Sequence, residues 1–191
     1  MGQTLSDLTS WLWEFSTPPK EGEPGHANRQ KARAEASRAQ QASVQSRQAY
    51  CRNDHQAAGR YSQLSRSHWN EHNRLQALAE HEIFTSHNPE YPKALLEVDL
   101  HGLFVKEAEA RVEQHVQLCR RAGITRTVVI TGQGNHSRDG LAKLKPAITE
   151  LCERENLNFL MDRPNPGCIT VLLLDSDPSN GTSDRGNCIV M

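Results

Sequence analysis

The sequence predicts an α/β fold: a small two-layer α/β sandwich preceded by a helical hairpin. Three observations predict it. From Leu95 onward, short apolar runs alternate with segments of helical periodicity in the order β-α-β-α-β-β, which suits helices packed on one mixed sheet. Residues 28–87 are rich in Ala, Gln, Ser and Arg and hold no proline and one glycine, Gly59, a strongly helical composition. Asn53-Asp54 interrupts that stretch with a helix stop and a new N-cap.

The elements follow in order. Two antiparallel helices are expected over about 29–51 and 54–85, ended by the "NPEYP" stretch at 88–92. Their apolar stripe is thin: Ala residues plus Tyr50, Tyr61, Leu64, Trp69, Leu75, Leu78 and Ile83. Such a hairpin is marginal alone and needs a surface to lean on. "LLEVDL" reads as the first strand. A helix over Val105–Arg121 sets Val105, Ala108, Val112, Val116 and Cys119 on one stripe, and Gly123 ends it. The continuous apolar run "TVVIT", 127–131, suits a strand covered on both faces. After the turn "GQGNHSRDG" comes a helix over Leu141–Asn156, then the strands "NFLMD" and "CITVLLL" joined by "RPNPG". The chain divides into a proline-rich N-terminal segment (1–27), the hairpin (28–90), the α/β domain (95–175) and a polar tail (176–191) expected to be disordered.

Composition narrows the function classes. The net charge of -1 hides an asymmetry. From Asn28 to Arg74 there are nine Lys/Arg against three acids, +6 locally, which suits either a polyanionic partner or a solvated helical face. The five cysteines have no CxxC spacing, their number is odd and no secretory signal is legible, so a reducing compartment is expected. No apolar run approaches the roughly 20 residues of a membrane span.

Three polar clusters interrupt the α/β domain. On "EVDLHG" the side chains alternate, so Asp99 and His101 share a face at the carboxyl end of the first strand. "TGQGNHS" supplies Thr131, Gly132, Gly134, Asn135, His136 and Ser137, and "RPNPG" supplies Arg163, Asn165 and Gly167. Strands one and two, joined by a helical crossover, can lie parallel, and then the first two clusters open onto one edge, where α/β sheets bind ligands. The glycine turn can approach phosphate, but it is neither the GxGxxG fingerprint nor a P-loop. A tight turn before a helix would use the same glycines, and Asp99 and His101 could serve as caps. Against these readings stands convergence: two histidines, one acid, a hydroxyl and glycine amides on one edge, with Arg138, Lys143 and Lys145 nearby. Histidine titrates near neutral pH, and a neighbouring acid can orient it or raise its pKa.

"VDLHG", then "TGQGNHS", then "NPGCITVLL" resemble, in this order, the boxes of a Smr (small MutS-related) domain over about 95–174. The basic helical stretch before it resembles the region of unknown function that precedes Smr domains in eukaryotic members, with a fungal source expected. The resemblance implies a fold similar to the C-terminal domain of bacterial translation initiation factor three. It also implies nucleic-acid binding and, in many members, endonuclease activity, with cleavage of messenger RNA on stalled ribosomes in eukaryotes. Asp99 and His101 match the first box; Gly132, Gly134 and His136 match the second.

RNA is therefore the expected partner, ahead of DNA, with the ribosome as a further one. In the expected route His101, oriented by Asp99, takes the proton of a ribose 2′-hydroxyl and His136 protonates the leaving oxygen. Glycine amides and basic residues would stabilise the phosphorane charge. Gly132, Gly134, Asn135, Ser137, Arg138, Lys143, Lys145 and Arg163 are the expected nucleic-acid contacts. One acid and two histidines make a thin ligand set for Mg²⁺; zinc stays open, and no residue is assigned as a metal ligand. The alternative is a binding module without turnover, docking RNA or a ribosomal surface, or a membrane-tethered adaptor.

Both ends carry lipidation patterns. "MGQTLS" places Gly2 and Ser6 in a myristoylation pattern, and "CIVM" places Cys188 in a C-a-a-X box that favours farnesyl. A cytoplasmic location is expected, with peripheral membrane attachment through one or both ends, weak with one lipid and stable with two.

Overall fold

The computed structural model describes residues 21–133 and 142–173. Two long helices come first, α1 (His26–Cys51) and α2 (His55–His87). They are followed by β1 (Glu97–Asp99), α3 (Val105–Arg121), β2 (Arg126–Ile130), α4 (Leu144–Arg154), β3 (Asn158–Met161) and β4 (Cys168–Leu172). The four strands form one mixed sheet in the order β1-β2-β4-β3. β1 runs parallel to β2, with Val98 opposite Val129, and β4 is antiparallel to both its neighbours. This is the expected β-α-β-α-β-β order behind a helical hairpin.

The hairpin turns where the sequence breaks. Asn53 takes a left-handed φ of 59°, and the Asp54 side chain accepts from Ala57 N at 2.9 Å. The seam between α1 and α2 is built on small residues: Ala32, Ala36, Ala39, Ala42 and Ala49 from α1 face Ala58, Ser65, Leu75 and Ala79 from α2. Tyr50, Leu64 and Leu78, expected on the stripe, are instead exposed. Alanines let the backbones approach closely enough for side chains to bond across the seam. Ser65 Oγ donates to Ala39 O at 2.9 Å and Ser46 Oγ to Ala58 O at 2.8 Å.

One core joins hairpin and sheet. Ile83 and Phe84, from the last turn of α2, are buried with Val98, Leu100 and Leu103, with Val112 and Val116 of α3, and with Ile148 and Leu151 of α4. At the same open end of the hairpin, on α1, Arg29, only 2% exposed, forms a two-pronged ion pair with Glu107 at 2.7 and 2.5 Å. Its guanidinium lies 3.7 Å from the Phe104 ring centroid. Glu107 also accepts from Phe104 N at 2.9 Å, so one carboxylate starts α3 and anchors α1. Arg111 of α3 sits over Phe84 and donates to Glu80 of α2 at 3.0 Å.

Burial on the sheet differs from the expectation in one respect. On β2, Thr127 and Val129 are buried while Val128 and Ile130 are only half-buried. The strand with both faces covered is β4, where Cys168 to Val171 are all buried. Both β2 and β4 are central strands, but β4 is also bonded to the 162–167 turn, whose Arg163 carbonyl accepts from Thr170 Oγ1 at 3.0 Å.

Candidate functional site

The site begins at the end of β1. Asp99 Oδ1 accepts from the His101 backbone N–H at 2.9 Å and pairs with His101 Nδ1 at 2.7 Å. With Nδ1 so engaged, Nε2 is the ring nitrogen left for other chemistry. The His101 side chain is about half exposed (51%), so a ligand can reach it. The Asp99 hydrogen bond raises the His101 pKa against the opposing effect of burial, and the Asp99 charge adds to it. Burial pushes the Asp99 carboxyl up, but the His101 ring and backbone bonds and the His101 charge outweigh it, and the net direction is down. Both shifts favour an ion pair.

Gly102 then turns the chain at a φ of 81°, a conformation that side chains with a Cβ rarely adopt. The turn lies against α2: a Cβ at Gly102 would be in ordinary contact with Ile83 Cγ2 at 3.4 Å and His87 Cε1 at 3.9 Å, so it is the backbone angle that favours glycine. Asn88, just past the helix, clamps the strand. Its Oδ1 accepts from Asp99 N at 2.8 Å and its Nδ2 donates to Asp99 O at 2.8 Å, as a neighbouring strand would. The His87 ring stacks on the His101 ring, with centroids 3.7 Å apart and planes at 20°. Burial, and then the His101 charge, lower the His87 pKa.

The second and third clusters arrive through the sheet. Because β1 and β2 are parallel, the Asp99 and Ile130 ends coincide. Because β4 is antiparallel to β2, Cys168 at its start lies opposite Ile130, which brings the "NPG" turn to the same edge. Thr131 N and Gly132 N both donate to Gly167 O, at 2.9 and 3.1 Å. Gly132, with a φ of 73°, sits beside His101: a Cβ there would be in ordinary contact with His101 Cβ at 3.7 Å. A Cβ on Gly167 would meet Gln133 and the Gly132 carbonyl carbon at 3.4 Å.

The structure thus brings Asp99, His101, Gly132 and the Gly167 turn together. The Gly132 amide, expected to face phosphate, is instead spent on the Gly167 carbonyl. Lys145 folds onto the turn, its ammonium paired with Asp162 and donating to Pro166 O at 2.9 Å. Arg163 is exposed beside it, and Lys143 is half-buried at the start of α4. Gly134, Asn135, His136, Ser137 and Arg138 lie outside the described residues, as do Gly2 and Cys188.

Two site neighbours escaped the sequence reading, His87 and Asn88. A histidine near a helix end followed by Asn-Pro carries no local signal beyond a helix stop. Only tertiary contact places them against Asp99 and His101. Among the described residues, His87, Asp99 and His101 also form a cluster whose ligand atoms lie within 4.8 Å of one another, a set able to offer two nitrogens and an oxygen to a metal ion. No described helix is long and apolar enough to cross a membrane.

Comparison with known proteins places these boxes. Residues 98–167 match the Smr domain, and residues 26–88 match the domain of unknown function DUF1771. A Smr domain-containing protein of Schizosaccharomyces pombe is 39% identical over 77 residues, 40% of this chain and 37% of that protein. Endonuclease NBR9 of Saccharomyces cerevisiae is 30% identical over 133 residues, 70% of this chain and 55% of that protein. The chain therefore spans between about a third and just over half of these fungal relatives. Among solved structures, that of the B3BP Smr domain is 33% identical, covering 52% of this chain and 98% of that one, with a TM-score of 0.40. A human small-MutS related domain is likewise 33% identical, covering 40% of this chain and 98% of that one, with a TM-score of 0.34. The two family matches in tandem, over 26–88 and 98–167, show that this chain belongs to the Smr domain family, its Smr domain following a DUF1771 helical region.

Proposed function

We propose that this protein binds nucleic acid through the edge formed by Asp99, His101 and the Gly132–Gly167 turns, and that it cleaves RNA there. The observation that carries the reading is the Asp99–His101 pair: an acid fixes Nδ1 of an accessible imidazole at the carboxyl edge of the sheet. Similarity to a protein named endonuclease supports it.

In the proposed reaction Nε2 of neutral His101 takes the proton of a ribose 2′-hydroxyl. The 2′-oxygen forms a bond to the adjacent phosphorus, and the bond from phosphorus to the 5′-oxygen breaks. His136 gives that oxygen a proton. The products are a 2′,3′-cyclic phosphate and a 5′-hydroxyl end, and no oxidant or further reactant is needed. Asp99 keeps His101 in the tautomer whose Nε2 is free and stabilises the imidazolium once it forms. Messenger RNA on a stalled ribosome is the substrate class we propose.

The test is cleavage of a structured RNA by wild type, Asp99→Asn and His101→Ala, with end-group analysis of the products. His101→Ala should lower the rate by about 10²–10⁴-fold, the usual contribution of a general base. RNA left equally intact by all three proteins, in the presence and absence of divalent metal, would end the endonuclease reading.

A second reading, binding without turnover, is favoured by the hairpin. Between α1 and α2 lies a groove of about 340 Å³ whose lining includes Ser43, Arg47, Ser62, Arg66 and Trp69. Both arginines are exposed, and Trp69 offers an aromatic face near them. Exposed cations beside an aromatic suit a single strand, through phosphate contacts and base stacking.

A further inference from the structure

We propose that His87 is a positioning residue of the nucleic-acid site, so that the DUF1771 hairpin completes the Smr site instead of only preceding it. The inference rests on the function proposed above for its cleavage readout alone.

Asp99 restrains the His101 ring at one edge atom, Nδ1. A ring held at one atom can still tilt about that contact, and the side chain is half exposed. On the Smr side Gly132 has no side chain to serve as a wall. The restraint perpendicular to the ring comes from His87, stacked at 3.7 Å between centroids. An in-plane hydrogen bond and a face contact together hold the ring more firmly than either alone, and small misplacements of a reacting group are costly to rate.

The mounting of His87 fits this role. It is the last residue of α2, and the next residue, Asn88, bonds both backbone groups of Asp99. The helix end and the strand end therefore move as one piece. The Nδ1 atom of His87 is buried with no hydrogen-bond partner, an arrangement that costs stability and that an apolar ring would avoid. Burial, and then the neighbouring His101 charge, lower the His87 pKa, which favours an uncharged ring face toward a protonated His101 over a second cation.

A metal ion is the competing use of the same residues. Ring lone pairs lie in the ring planes, and near-parallel stacked rings set them side by side instead of converging on one point. An ion bound by both imidazoles would have to undo the stack.

The experiment uses the full chain, with His87→Ala and His87→Phe, three readouts and a zinc titration. His87→Ala should lower single-turnover RNA cleavage by about 10–100-fold, with RNA affinity within about 2-fold of wild type, because positioning acts on rate and not on phosphate contacts. His87→Phe keeps an aromatic face and should recover cleavage to within a few-fold of wild type. By NMR, the His101 Cε1–H resonance should move in His87→Ala as the ring current is lost, and stay shifted in His87→Phe. Wild-type cleavage in His87→Ala, or equal loss in both variants, overturns the proposal. Should His87→Ala fail to fold by circular dichroism, His87→Phe decides alone: near-wild-type cleavage supports the stack, and a loss beyond tenfold overturns it. One equivalent of Zn²⁺ that perturbs both imidazoles and activates cleavage overturns it in favour of a metal site. If wild type leaves RNA intact, the endonuclease reading fails by itself, and the His101 resonance still decides whether His87 positions that ring.

Discussion

At the residue scale, two histidines of this chain behave oppositely, and their surroundings say why. The groups facing His101 are Asp99, Glu23 and His87; the Asp99 bond raises its pKa above the ordinary 6.5. A base must be neutral to accept a proton, so cleavage should rise with pH through a midpoint above 6.5. Asp99→Asn should move that midpoint down toward 6.5 as well as lower the rate, which a pH–rate profile would read. The same pair contributes stability present below pH 6.5 and lost as pH rises through the raised His101 value. His115, fully buried on α3, is pushed down to about 4 by burial. Its Nε2 lies 2.8 Å from Thr127 Oγ1, whose own proton goes to Leu95 O at 3.0 Å. Thr127 must therefore accept, His115 donates from Nε2, and the buried Nδ1 stays unprotonated. The unfolded chain takes up this proton below about pH 6.5 and the folded chain does not until about pH 4. Stability present above 6.5 should fall by up to about 3 kcal/mol as the pH drops across that window. Denaturant melts at pH 7 and 4.5 should show a smaller difference for His115→Gln than for wild type.

At the scale of elements, the hairpin is held to the Smr domain by contacts that a surface helix would not need. Arg29 counts among the nine basic residues of the hairpin, yet its charge points inward to Glu107. Removing one partner of a buried ion pair is strongly destabilising, because the other is left unpaired. Glu107→Gln should therefore cost about 3 kcal/mol or more in chemical denaturation, with part retained through Gln76, which also accepts from Arg29. Gly25 shows the same tightness: a Cβ there would fall 2.7 Å from Ile83 Cγ1 and 2.8 Å from the Ala79 carbonyl oxygen. The substitution Gly25→Ala should loosen α1 from α2 and lower the melting temperature, while Gly59→Ala, where a Cβ meets open space, should not lower it.

For the whole molecule, helix length sets how long a nucleic acid must be to touch both the hairpin groove and the Asp99–His101 edge. Arg66 and His87 stand on the same helix, 21 positions apart by their numbers, so about 30 Å separates the groove arginines from the site along the helix axis. A short oligonucleotide reaching Asp99 and His101 cannot also reach Arg47 and Arg66. The double variant Arg47→Glu/Arg66→Glu should weaken binding of a long structured RNA and flatten its salt dependence, by roughly one to two in the log–log slope, one for each phosphate the arginines no longer neutralise. Cleavage of a short substrate should be unchanged. A salt slope identical to wild type would remove the hairpin from the interface.

Local pattern was enough for the elements and for the identity of the first box. The helix stop at Asn53-Asp54, the stripe of Ala108, Val112, Val116 and Cys119, and the alternation on "EVDLHG" are all short-range properties, because period and capping depend on neighbours in the chain. Assembly was decided by contacts between distant residues. The apolar run of β2 looked like the covered strand, but coverage belongs to β4, since burial depends on what lies above a strand and not on its own composition. Gly132 looked like a phosphate donor, but an antiparallel β4 delivered the Gly167 carbonyl to its amide first. His87 looked like part of a helix end, but Asn88 bonds that end to β1 and sets the His87 ring against His101. The sequence by itself determined that Asp99 and His101 share one face at the end of a strand, because side-chain alternation is local; the tertiary structure alone decided that a helix beginning more than thirty residues earlier stands against them, because a thinly apolar hairpin needs the Smr core to lean on.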